Sequence, residues 1–221
     1  EKHLLSLAIV LMGASIDASV LYVIEWNVFL LIILLIVVAI LSSLILGRIF
    51  NLSSSLSLLL GIGNGICGSS AIAGIAPVIQ AKEEDIGLSI STINILGAIG
   101  IFFVPFCIDL LFNGTVENKG IIIGSTIQAV GQVTAAGFIM GDRVGEIATL
   151  IKMVRILMLG PVLVVLTLIY MNKGKKTSKT SFPIPLFIIG FIFFIALFNY
   201  NLIPTSLIPI LKAISTYSLL F

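Results

Sequence analysis

From Val28 to Gly47 the chain runs 20 residues without a charged side chain, most of them Ile, Leu or Val. At about 1.5 Å rise per residue, a helix of that length matches the roughly 30 Å hydrocarbon core of a bilayer. Comparable apolar windows recur at 4–24, 56–81, 86–112, 120–141, 144–171, 182–200 and 203–220. Twelve Lys and Arg and 10 Asp and Glu are too few to cover 221 residues with a water-facing surface, since soluble domains carry about 25% charge. The expected fold class is therefore all-α: one polytopic transmembrane helical bundle over residues 1–221, with about eight membrane segments. A solution enzyme, a secreted disulfide scaffold and a disordered tail are excluded. The net charge of +2 gives no reason to expect nucleic acid. Cys67 and Cys107 fall in apolar runs and read as small buried residues. With His3 as the single histidine, no His-based metal site can form, and no cofactor is expected.

Two windows are poor continuous helices. The first, 56–81, contains Gly61, Gly63, Gly65 and Gly68, and glycine costs about 1 kcal/mol relative to alanine in a helix interior. The second, 120–141, contains Gly124, Gly131 and Gly137. A shift of 63 positions carries Gly61 onto Gly124, Gly68 onto Gly131, Ala73 onto Ala136 and Gly74 onto Gly137. The same shift carries Ile93, Leu96 and Gly97 onto Ile156, Leu159 and Gly160. This pattern predicts an internal repeat built on two broken segments, which either span or dip in and return. Opposed re-entrant segments would make the repeat an inverted one, a common basis of alternating access. Lys and Arg in short loops place Lys173–Lys179 in the cytoplasm on either path. Polar residues at membrane depth in both segments, Asn64, Ser69, Ser70, Gln128 and Gln132 among them, suit broken backbone that lines a cavity rather than passive packing.

Five charges fall inside predicted spans: Asp17, Asp109, Lys152, Arg155 and Lys212. Lys152 and Arg155 lie three residues apart, hence on one face of one helix. Either Asp17 or Asp109 neutralises one of them internally, or the pair faces a cavity and binds a multiply charged anion. Lys212 is expected to reach the interface.

The run Asn64-Gly-Ile-Cys-Gly-Ser-Ser-Ala-Ile-Ala73, followed by Ala76-Pro77-Val78-Ile79, resembles the signature of the sulfate exporter family of prokaryotic inner-membrane proteins. Lys82-Glu-Glu, Gln132-Val133, Ala135-Ala136-Gly137, and Glu146-Ile-Ala-Thr with Lys152 and Arg155 match in order. The resemblance covers nearly the whole chain, though members run longer at both ends. It implies a secondary transporter of the broad superfamily of bile-acid symporters and cation–proton antiporters, with inverted repeats and interrupted helices. The chain departs from the pattern at Gln128 and Ala129, where members carry His and an acid, and at Ser15, where they carry Arg. Proton coupling through such a pair is therefore not expected of this chain.

The expected function is export of a small oxyanion, sulfate or a sulfonate, across a prokaryotic plasma membrane, with possible self-association left open. Its binding residues would be Asn64, Gly65, Cys67, Gly68, Ser69, Ser70, Gln128, Gln132, Lys152 and Arg155. Alternatives are a cation–proton antiporter coupled through Asp17 or Asp109, and a non-transporting membrane scaffold or sensor. No nucleophile–base pair supports an enzyme.

Overall fold

A computed structural model of the chain describes residues 25–112, 114–171 and 186–200, together with 202 and 207. Within these residues the elements are α1 (Trp26–Ile49), α2 (Ser54–Gly65), α3 (Ser69–Ile75), α4 (Glu83–Leu111), α5 (Val116–Thr126), α6 (Val130–Ile139), α7 (Asp142–Leu157), α8 (Leu159–Met171) and α9 (Leu186–Asn199). The predicted spans at 28–47, 86–112 and 144–171 correspond to α1, α4 and the α7–α8 run. By length and composition these three are able to cross a membrane. The two glycine-rich windows are broken as expected, into α2 with α3 and α5 with α6. The first predicted span with Asp17, the Lys173–Lys179 loop and Lys212 lie outside the described residues.

Capping explains where the chain turns. Asn51 takes the left-handed conformation after α1 (φ 55), and the Leu52 amide closes back on the Gly47 carbonyl at 2.8 Å. Ser53 then caps α2 by accepting from the Leu56 amide at 3.0 Å. Thr115 does the same for α5 through the Asn118 amide at 3.3 Å. Between α7 and α8, Pro161 lacks an N–H and crowds the Leu157 carbonyl, so the helix shifts register at Met158.

The path of the broken segments can be read from contacts. Ser53 precedes α2, and its hydroxyl donates to Asp85 Oδ2 in the first turn of α4 at 2.9 Å. The chain thus leaves from and returns to one end of α4, so α2 and α3 form a hairpin. Asp85 is buried, and the same knot holds α1, because Ser43 Oγ donates to the Ser57 carbonyl at 2.6 Å. Small residues seat the hairpin closely. A Cβ on Gly61 would lie 2.9 Å from Ile40 Cα, and one on Gly65 would lie 3.5 Å from Ile36 Cα.

The second hairpin packs on α7 instead. A Cβ on Gly120 would meet the Ile147 side chain at 2.7 Å, and one on Gly137 would meet Gly145 Cα at 2.8 Å. Residues 120 and 137 are thus both beside the first turns of α7. Helix α5 runs along α7 and α6 runs back, with Thr134 and Thr149 hydroxyls 3.4 Å apart. This hairpin sits at the other end of α4, where Lys119 of α5 pairs with Asp109 at 3.3 Å. The two hairpins enter from opposite ends of a 29-residue helix. Each has its own apolar cluster: Leu59, Ile62, Ile72 and Ile75 in the first, Ile123, Val133, Ala136 and Ala148 in the second.

Candidate functional site

The hairpin tips, residues 65–68 and 127–129, meet beside the middle of α4. Gly68 takes φ 76, a conformation that glycine adopts without penalty. Its amide closes back on the Gly63 carbonyl at 2.9 Å. A Cβ there would sit 3.6 Å from Gln128 Cβ and 3.8 Å from the Ala129 nitrogen, so the two breaks touch. Gln128 Nε2 donates to Asn64 Oδ1 across the junction at 2.7 Å. Gln132 turns back to accept from the Ala129 amide at 3.3 Å and donates to the Asn94 carbonyl of α4 at 3.4 Å. Gly97 makes room for it, since any side chain there would overlap the Gln132 amide.

Lys152 and Arg155 reach this junction from α7, and both are buried. Lys152 Nζ donates to the Ile66 carbonyl at 2.7 Å and the Ile127 carbonyl at 3.0 Å, one from each tip. Arg155 donates to the Asn64 and Gly65 carbonyls of the first hairpin at 2.6 and 3.0 Å. It also donates to the Gly124 and Ser125 carbonyls of the second at 2.8 and 2.6 Å. These acceptors end α2 and α5, whose last carbonyls have no partner within the helix. One helix therefore fastens both hairpins through the C-terminal ends of their first arms, α2 and α5.

The sequence left open whether an acid or a cavity answers these cations. Among the described residues their partners are backbone carbonyls. Asp109 instead pairs with Lys119 near the far end of α4, and its side chain is 67% exposed. Asp85, the other buried charge among the described residues, stays with Ser53 at the opposite end.

The electrostatic balance follows. A helix C-terminus carries about half a negative charge. Two such ends face the Lys152 and Arg155 donors at the junction. The N-terminus of α6 follows the second tip, with the amides of Val130 and Gly131 in its first turn. Open space adjoins that turn, because a Cβ on Gly131 would meet nothing within 4 Å. An ammonium has three donors and a guanidinium five. Lys152 uses two, and the Arg155 terminal nitrogen facing Asn64 uses one of its two. Each side chain thus keeps one donor beyond those that hold the tips.

Of the residues expected at the site, the structure brings Asn64, Gly65, Gly68, Gln128, Gln132, Lys152 and Arg155 into one connected set. Cys67 is buried in the first tip, and Ser69 and Ser70 open α3 half-buried. Sequence reasoning passed over Gly97, whose lack of a side chain lodges Gln132, although its place in the 63-residue repeat marked it. It also passed over Asp85, which was indistinguishable from the loop charges Glu83 and Glu84.

The sequence model of a family described as conserved hypothetical protein 698 matches residues 1–221. A UPF0324 membrane protein of Bartonella henselae is 42% identical over 95% of this chain and 60% of its own length. One from Brucella melitensis is 40% identical over 96% of this chain and 59% of its own. One from Clostridium perfringens is 35% identical over 98% and 66%. The chain thus spans about three fifths of the length of the first of these relatives. No solved structure matches it.

Proposed function

The chain belongs to the family of conserved hypothetical protein 698, membrane proteins, and from that premise we propose that it is a secondary transporter that exports a small oxyanion, sulfate or a sulfonate. The observation that carries this reading is the pair of opposed hairpins whose tips meet around two buried basic side chains, Lys152 and Arg155, which have no carboxylate partner among the described residues. Re-entrant hairpins from opposite faces give a site that rocking of one half against the other exposes alternately. The anion would bind Lys152, Arg155, the Asn64 and Gln128 amides and the first-turn amides of α6, with the Ser69 and Ser70 hydroxyls beside it. No enzymatic step is assigned to it. Orientation follows from the basic loops: the end of α4 at Lys82, together with the end of α1 that carries Arg48, faces the cytoplasm of a prokaryote, as does Lys173–Lys179.

The test is uptake of radiolabelled sulfate and methanesulfonate into proteoliposomes holding the chain or its Lys152→Gln variant. Glutamine keeps donors for the Ile66 and Ile127 carbonyls and removes the charge. Uptake is expected to fall at least tenfold while the variant elutes as a single species and Cys67 alkylates at the wild-type rate. Unchanged uptake by a well-folded variant contradicts the proposal.

A further inference from the structure

A cleft of about 330 Å³ opens between α1, α2 and α4, with Asn64 among its lining residues. Leu46, Gly61 and Leu96 give it apolar walls. The hydroxyls of Ser42 and Thr92, which also line it, are turned onto carbonyls of their own helices, Ala39 at 3.2 Å and Leu88 at 2.8 Å. The walls thus present carbon, and a bare sulfate, which needs donors on every oxygen, gains nothing from them.

Asn64 connects the cleft to the hairpin tips. Its side-chain oxygen holds Gln128, and its main-chain oxygen holds the Arg155 guanidinium at 2.6 Å. A ligand in the cleft therefore meets apolar surface and Asn64, the lining residue whose carbonyl accepts from Arg155. The volume lies at the low end of the range for small-molecule sites, about 300–1,000 Å³, which suits a tail of a few carbons.

We propose that the cleft takes the apolar tail of an organic oxyanion, such as a short alkanesulfonate, whose charged head lies against Asn64 and the cation pair. This rests on the reading of the tips as an anion site and narrows the substrate class. A buried methylene is worth roughly a fourfold gain in binding, so affinity should rise with chain length. The experiment is competition against labelled-sulfate uptake in proteoliposomes by methane-, propane- and butanesulfonate. Butanesulfonate is expected to compete at least tenfold better than methanesulfonate. Thr92→Phe, at an exposed position on the cleft wall, should remove most of that gain and leave sulfate uptake within about twofold of wild type. Sulfate uptake without any chain-length gain overturns the cleft proposal and leaves the anion site standing. A gain undiminished in Thr92→Phe puts the tail elsewhere and also overturns it. Absence of any oxyanion uptake removes the anion reading itself, and this proposal with it.

Discussion

Replacing Arg155 by Met is expected to loosen both hairpins at once and to destabilise the protein by about 4 kcal/mol. The side chain volume is nearly kept, so the loss comes from hydrogen bonding. Five carbonyls, those of Asn64, Gly65, Gly124, Ser125 and Ile127, lose a charged donor in a largely buried site, and of these Ile127 keeps its bond from Lys152. Each unsatisfied carbonyl costs about 1–3 kcal/mol, partly recovered where the tips can relax towards water. Arg155→Lys keeps the charge but supplies one ammonium where a planar fork served both hairpins, so about half the loss should remain. Unfolding in mixed detergent followed by circular dichroism gives the stability. Alkylation of Cys67, which is buried in the first tip, reports the local opening and should speed up at least tenfold in Arg155→Met. Wild-type stability with wild-type Cys67 protection would mean that the guanidinium does not hold the tips.

The second large effect is expected at Gly124. A Cβ there would lie 2.5 Å from the Ala148 carbonyl oxygen and 2.8 Å from Ile151 Cβ, and neither is the free end of a flexible chain. Gly124→Ala must therefore push α5 away from α7, at a cost of about 2 kcal/mol for overpacking. The displacement also moves the Gly124 and Ser125 carbonyls off Arg155, so transport should fall further than stability alone explains. Gly87→Ala is the control. Nothing lies within 4 Å of a Cβ at Gly87 in α4, and alanine should stabilise that helix by about 0.5–1 kcal/mol. Equal melting behaviour of the two variants would refute the close α5–α7 packing.

Much of this architecture is legible in the residues themselves. The charge-free run 28–47 marks α1, and the glycines of the repeat mark the two broken segments. Gly61 and Gly124, placed in register by the 63-residue offset, both prove to be points where an inward helix lies against a span. The path of those segments is not legible, because spanning and re-entering leave the balance of basic loop residues unchanged. It depends on Ser53 meeting Asp85 and on Gly120 meeting Ile147, pairings that no local pattern encodes. The partners of Lys152 and Arg155 are hidden for a different reason. Their acceptors are main-chain carbonyls at helix ends, and a carbonyl has no identity in a sequence. Looking for a carboxylate, one finds Asp109, which the fold gives to Lys119.

Asp85 shows the converse. Beside Glu83 and Glu84 it looks like one more solvated loop charge, yet it is buried against Ser53 and ties the first hairpin to its end of α4. Burial separates the three acids, and burial here is a property of how α1, α2 and α4 converge.

The account stands on two hairpins that enter from opposite faces, and single-cysteine labelling in oriented membrane vesicles tests that directly. With Cys67 and Cys107 replaced by Ala, cysteines are placed one at a time at Leu52, Lys82, Thr115 and Arg143. An impermeant maleimide should reach positions 52 and 82 from one face of the membrane and positions 115 and 143 from the other. Labelling of 52 and 82 from opposite faces would make the first segment a full span, separate the tips, and contradict the site built between them.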